Sequence, residues 1–66
     1  MKLHLNGEER EFAPPLTLFE LLQAAGLAER RVAIEVNQEV IPRSLQARHL
    51  LAEGDRVEII QAIGGG

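Results

Sequence analysis

Residues 16–27 read Leu16-Thr17-Leu18-Phe19-Glu20-Leu21-Leu22-Gln23-Ala24-Ala25-Gly26-Leu27, and this stretch decides the fold. Thr17, with Glu20 three residues on, is a capping box: each side chain can satisfy a backbone N–H that the first turn of a helix leaves unpaired. Leu16 before the cap and Leu21 after it have the spacing of a hydrophobic staple. Leu18, Leu21, Leu22 and Ala25 fall at i, i+3, i+4 and i+7, one apolar stripe. Gly26 supplies a left-handed residue just past the end, and Leu27 can fold back on Leu22. The spacing predicts a helix over 17–25 of roughly two turns, too short to stand without packing.

Strands lie on both sides. Upstream, Met1, Leu3 and Leu5 alternate with Lys2 and His4, a strand with one buried face. Asn6-Gly7 is a strong two-residue hairpin signal, because a type I′ turn needs positive φ at both positions. Glu8 to Phe12 should return antiparallel, with its charges marking an edge strand, and Pro14-Pro15 ends it. Downstream, Val32, Ile34 and Val36 alternate with Ala33 and Glu35. Asn37-Gln38 turns into Glu39-Val40-Ile41, a short strand ended by Pro42, although Gln lacks the freedom of Gly at positive φ. Ser44 to Leu51 is expected to be an irregular or short helical crossing that offers Leu45, Leu50 and Leu51 to the core. Glu53-Gly54-Asp55 then turns into a last strand, Arg56 to Gln61, with Val57 and Ile59 toward the helix and Glu58 and Ile60 away from it.

The order strand, strand, helix, strand, strand, strand predicts an α+β fold, a helix on one face of a mixed sheet. The long crossing lets the last strand lie parallel beside the first, which is the β-grasp (ubiquitin-like) arrangement. A ferredoxin-like fold needs a second helix of real length, and none is written here. One domain over 1–63 and a flexible glycine tail over 64–66 are expected.

Composition removes several functions. Sixty-six residues leave room for one small core and no enclosing loops. There is no cysteine, hence no disulfide, thiolate zinc site or cysteine nucleophile, and His4 and His49 lack metal-ligand spacing. No metal or cofactor is expected on the chain. A formal charge of -3, no Tyr or Trp and two Phe argue against nucleic acid. With no apolar run of membrane length and an alternating N-terminus, the expectation is a cytoplasmic protein without a membrane partner, monomeric when free.

No catalytic set stands out. Glu8, Glu9, Glu11 and Glu53 read as solvated charge, since no apolar pocket is indicated to raise a carboxyl pKa. His4 is expected to face away from the helix. Phe19 flanks the apolar stripe and is either core edge or partner contact, and Ile60 is an aliphatic residue on the solvent face of a strand, a candidate partner contact. The tail is different: Gly64-Gly65-Gly66 directly follows the last strand region. Glycines without side chains can thread a narrow channel and present an unhindered α-carboxylate, which becomes reactive only once activated, for example as a mixed anhydride with AMP.

Val32-Ala33-Ile34-Glu35-Val36-Asn37, Val40-Ile41-Pro42-Arg43-Ser44, Glu53-Gly54-Asp55-Arg56-Val57-Glu58-Ile59 and the terminal glycines together resemble the ThiS family, sulfur carriers of thiamine biosynthesis. Asn6-Gly7 and Leu16-Thr17-Leu18 fit as well, so the resemblance covers nearly the whole chain. Gln38 stands where the family often has Gly. The resemblance implies a carrier rather than an enzyme. An E1-like (ThiF-like) adenylating enzyme would use ATP to make an acyl-adenylate at Gly66. A persulfide donor would turn it into a thiocarboxylate, and a ThiG-like thiazole synthase would accept the sulfur. Gly64 and Gly65 would give reach into the partner active sites. Alternative readings are a carrier for molybdopterin synthesis or tRNA thiolation, a protein modifier, and a β-grasp interaction module whose tail is inert.

Overall fold

Alternating apolar residues and two Asn-initiated turns become two hairpins that flank one helix. In the computed structural model, which describes residues 1–28 and 32–61, β1 (Lys2–Leu5) and β2 (Glu8–Glu11) form the first hairpin. After α1 (Leu18–Ala24), β3 (Val32–Val36) and β4 (Glu39–Val40) form the second. A 3-10 turn, Arg43–Leu45, leads into the crossing, and β5 (Arg56–Gln61) completes a five-stranded sheet of order β2-β1-β5-β3-β4. The last strand therefore lies in the middle. It runs parallel to β1 (His4 beside Arg56, Leu5 beside Val57) and antiparallel to β3 from Val32–Gln61 to Val36–Val57.

The turns behave as their residues dictate. Asn6 and Gly7 have φ of 51° and 83°, and Asn37 and Gln38 have 52° and 69°, so Gln38 takes the left-handed conformation without being glycine. Ile41, expected inside the fourth strand, lies just past β4 yet still donates its N–H to the Ile34 carbonyl.

Leu3 and Leu5 from β1, Ile34 and Val36 from β3 and Val57 from β5 point to one face, where Leu18, Leu21 and Leu22 of α1 cover them. Ile41 and Leu51 close the same core, and Met1, Phe12, Leu16, Leu27, Val32 and Ile59 pack at its margin.

Both helix ends are built as the sequence predicts. Thr17 N–H donates to Glu20 Oε1 at 2.8 Å, and Glu20 N–H donates to Thr17 Oγ1 at 3.1 Å. At the far end Gly26 N–H reaches Gln23 O and Leu27 N–H reaches Leu22 O, the Schellman pair, with Gly26 at φ 75°.

The crossing departs from expectation. Leu51 is buried, but Leu45 and Leu50 are 47% and 63% exposed, and Gln46 is buried instead. The cause is the helix N-terminus, whose first N–H groups have no partners within the helix. Leu18 N–H donates to His49 O and Phe19 N–H to Gln46 O, while Leu51 N–H donates to Leu16 O. Thr17 and Leu50 thus form an antiparallel bridge. Extended backbone there sends alternate side chains to opposite sides, so Leu51 in means Leu50 out.

The expected tail over 64–66 lies outside the described residues.

Candidate functional site

If the glycines carry chemistry, β5 is the strand that delivers them, and its surroundings form the site. At its root, Asn37 makes three hydrogen bonds across the β3–β5 pair. Its N–H donates to Arg56 O at 2.8 Å, its Oδ1 accepts the Arg56 N–H at 3.0 Å, and its Nδ2 donates to Asp55 Oδ1 at 2.9 Å. Asp55 also accepts the Ala52 N–H through Oδ2 at 2.8 Å, which closes the turn ahead of the strand. The same turn is tied to β1: Gly54 N–H donates to Lys2 O, His4 N–H donates to Asp55 O, and the Glu53 carboxylate accepts the Lys2 N–H at 3.1 and 3.2 Å. Glu53, read from sequence as solvated charge, is exposed but holds this junction.

On the opposite edge of β5, Asn6 N–H donates to Val57 O at 2.9 Å, and Asn6 Oδ1 accepts the Ile59 N–H at 2.7 Å. β1 turns away at Asn6, so this carboxamide adds a rung that the strand itself no longer supplies. The sequence marks Asn6 and Asn37 as turn residues only. Their second role joins residues 53 and 19 positions apart, beyond any local pattern.

The sheet face turned away from the helix carries Ala33 opposite Ile60 and Glu35 opposite Glu58. Ile60 is 47% exposed and lies on that face as expected. Val40, beside Glu35, is also exposed there. Phe19 is half-buried at the start of α1, away from this face. His4 is half-buried on the outer face, between Glu9 and Arg56 in register, whereas His49 is half-buried in the crossing, so the two histidines do not meet. An open depression lined by Asn37, Gln38, Arg56 and Glu58 lies at the root of β5. Among the described residues no group of three or more His, Cys, Asp and Glu could hold a metal ion, and no helix is long and apolar enough to cross a membrane. The described residues therefore bring together a scaffold for β5 and an exposed face; the expected reactive residue Gly66, with Gly64 and Gly65, lies outside them.

The ThiS family model matches residues 3–66. This chain belongs to the ThiS family. It is 30% identical to the sulfur carrier protein ThiS of Escherichia coli, with the match covering all of both chains. It is 46% identical to a thiazole synthase of Paramagnetospirillum magneticum and 41% identical to one of Magnetococcus marinus. All of this chain is matched in each, yet it spans only 20% of their length. A crystal structure of the thiamine biosynthesis protein ThiS from Geobacter metallireducens, 35% identical, superposes over the whole of both chains with a TM-score of 0.87. The five-stranded mixed sheet with one helix is thus the β-grasp of the ThiS family.

Proposed function

We propose that this ThiS-family chain is a sulfur carrier protein of thiamine biosynthesis rather than an enzyme, and that Gly66 bears the sulfur. The supporting observation is the match itself: the family model runs to Gly66, and the E. coli carrier aligns over its full length. In this reading residues 1–63 are the folded domain and 64–66 the tail that enters partner active sites. An E1-like enzyme spends ATP, a Gly66 carboxylate oxygen attacks the α-phosphorus, and pyrophosphate leaves. The sulfur of a persulfide then displaces AMP from the acyl carbon, and thiol cleavage of the S–S bond leaves a thiocarboxylate. Thiazole synthase is the acceptor, which the two thiazole synthases containing a matching segment support. ATP belongs to the partner, and the work is cytoplasmic, where ATP and persulfide donors are at hand. The carrier acts as a monomer. Lacking cysteine, it has no thiol to trap its own activated end as an internal thioester.

The test is intact mass after incubation with ATP, a sulfide source and a cognate adenylating enzyme, with fragmentation to place the change. One oxygen of Gly66 should be replaced by one sulfur. Deleting Gly66 withdraws the carboxylate by up to ~3.6 Å. Misplacement by even 1 Å can cost on the order of a hundredfold in rate, so loading should collapse. Adding Ala after Gly66 should do the same, while His4→Ala and His49→Ala load normally. Equal loading of the deletion, or sulfur mapped elsewhere, defeats the reading.

A further inference from the structure

β5 is held unequally on its two edges. Along β3 it is paired from Val57 to Gln61. Along β1 the strand pairing covers only Arg56 and Val57, because the chain reverses at Asn6-Gly7. The next N–H on that edge, Ile59, is taken by Asn6 Oδ1 at 2.7 Å, the shortest of the side-chain hydrogen bonds among the described residues. Beyond it no hydrogen bond holds β5 on the β1 side among the described residues.

We propose that Asn6 is a positioning residue for sulfur loading: its carboxamide caps the free edge of β5 at Ile59 and so fixes the direction in which the strand delivers the residues after it. The proposal rests on the carrier reading above. Two features make Asn suited to the position. It tolerates the φ of 51° that the turn demands, and its acceptor is short enough to reach the neighbouring strand from the turn itself. Without the cap, the end of β5 is held on one edge only and can splay from the sheet. Docking through the outer sheet face would persist, but fewer docked molecules would have the reactive carboxylate aligned. The loss therefore falls on kcat for adenylation rather than on KM.

Three variants separate this from loss of stability. Asn6→Gly keeps a turn-competent backbone and removes the acceptor; Asn6→Asp keeps an acceptor at the same reach. Thr17→Ala removes the side-chain cap at the N-terminus of α1 and serves as the control for general loss of stability. Adenylation is followed by ATP–pyrophosphate exchange with a cognate adenylating enzyme, and amide hydrogen exchange is read at Ile59 and Gln61. One hydrogen bond of ordinary net worth predicts about a fivefold fall in kcat for Asn6→Gly at unchanged KM, with faster exchange at Ile59. Asn6→Asp should recover most of both, and Thr17→Ala should load like the parent at a temperature where all variants are folded. Parent-like kcat in Asn6→Gly overturns the proposal, as does an equal fall in Thr17→Ala or no recovery in Asn6→Asp. A parent that supports no exchange at all overturns the carrier reading and this proposal with it, so the two failures are distinguishable.

Discussion

Ile60 shows how one position on a strand is left without a task in the core. Its neighbours Val57 and Ile59 are required by the core, but period-2 alternation puts Ile60 on the open face, 47% exposed opposite Ala33. Burial on folding does not explain an aliphatic side chain there. Ile60→Asp should leave the thermal midpoint within a few degrees of the parent while weakening binding to a cognate adenylating enzyme at least tenfold, on the premise that truncating a central contact costs over ~1.4 kcal/mol. Calorimetric titration beside a melting curve checks both halves. Unchanged affinity would remove Ile60 from the docking face. Gly26 poses the opposite case, a residue whose task is conformational. A Cβ there would meet nothing within 4 Å, so crowding is not the issue; φ of 75° is. Gly26→Ala should cost roughly 1–2 kcal/mol through the backbone alone, visible as a lower urea midpoint at constant m.

Elements are stabilised by what closes their ends and by what faces them across the sheet. α1 has seven residues, too few to persist by propensity. Its N-terminal N–H groups are all engaged: Leu18 by His49 O, Phe19 by Gln46 O, Glu20 by Thr17 Oγ1. Thr17→Ala removes the side-chain member of that set and should destabilise the fold by about 1 kcal/mol in urea titration. Thr17→Ser, which keeps the oxygen, should lose much less. In the sheet, Glu35 and Glu58 face each other directly across β3 and β5. Like charges in that position repel, so Glu58→Lys should raise stability by roughly 0.2–1 kcal/mol. The gain should shrink as salt is added, since both groups lie on the open face. A gain that survives molar salt would have another origin.

At the scale of the whole molecule, one core layer carries the fold. Leu3, Leu18, Leu21, Leu22, Ile34 and Val57 are almost completely buried, and they come from two neighbouring strands, the helix and β3. A chain of 66 residues has a total stability on the order of 3–10 kcal/mol, at ~0.05–0.15 kcal/mol per residue. Leu21→Ala, at the centre of the helix's buried stripe, should cost ~2–5 kcal/mol. That is a large share of the total, so the variant should be substantially unfolded at 37 °C by circular dichroism. With no cysteine in the chain, no disulfide can offset the loss.

The sequence by itself determined the local pieces. The capping box, Gly26, the two Asn-led turns and the alternation of Val32, Ile34 and Val36 each depend on residues within a few positions of one another, and the structure contains all of them. The order of elements also confined the topology to one helix over a mixed sheet. Tertiary structure alone decided three things. It buried Gln46 beside Leu51 in the crossing and left Leu45 and Leu50 exposed, because the carbonyls that satisfy the helix N-terminus set the path of that segment. It turned Glu53 from surface charge into a partner for the Lys2 N–H, 51 residues away. And it set Asn6 against Ile59, where β1 ends before β5 does. Each of these is a hydrogen bond between groups distant in the chain. Hydrophobic period and turn chemistry say which face a residue seeks, but an unpaired N–H finds its acceptor only once the strands are side by side.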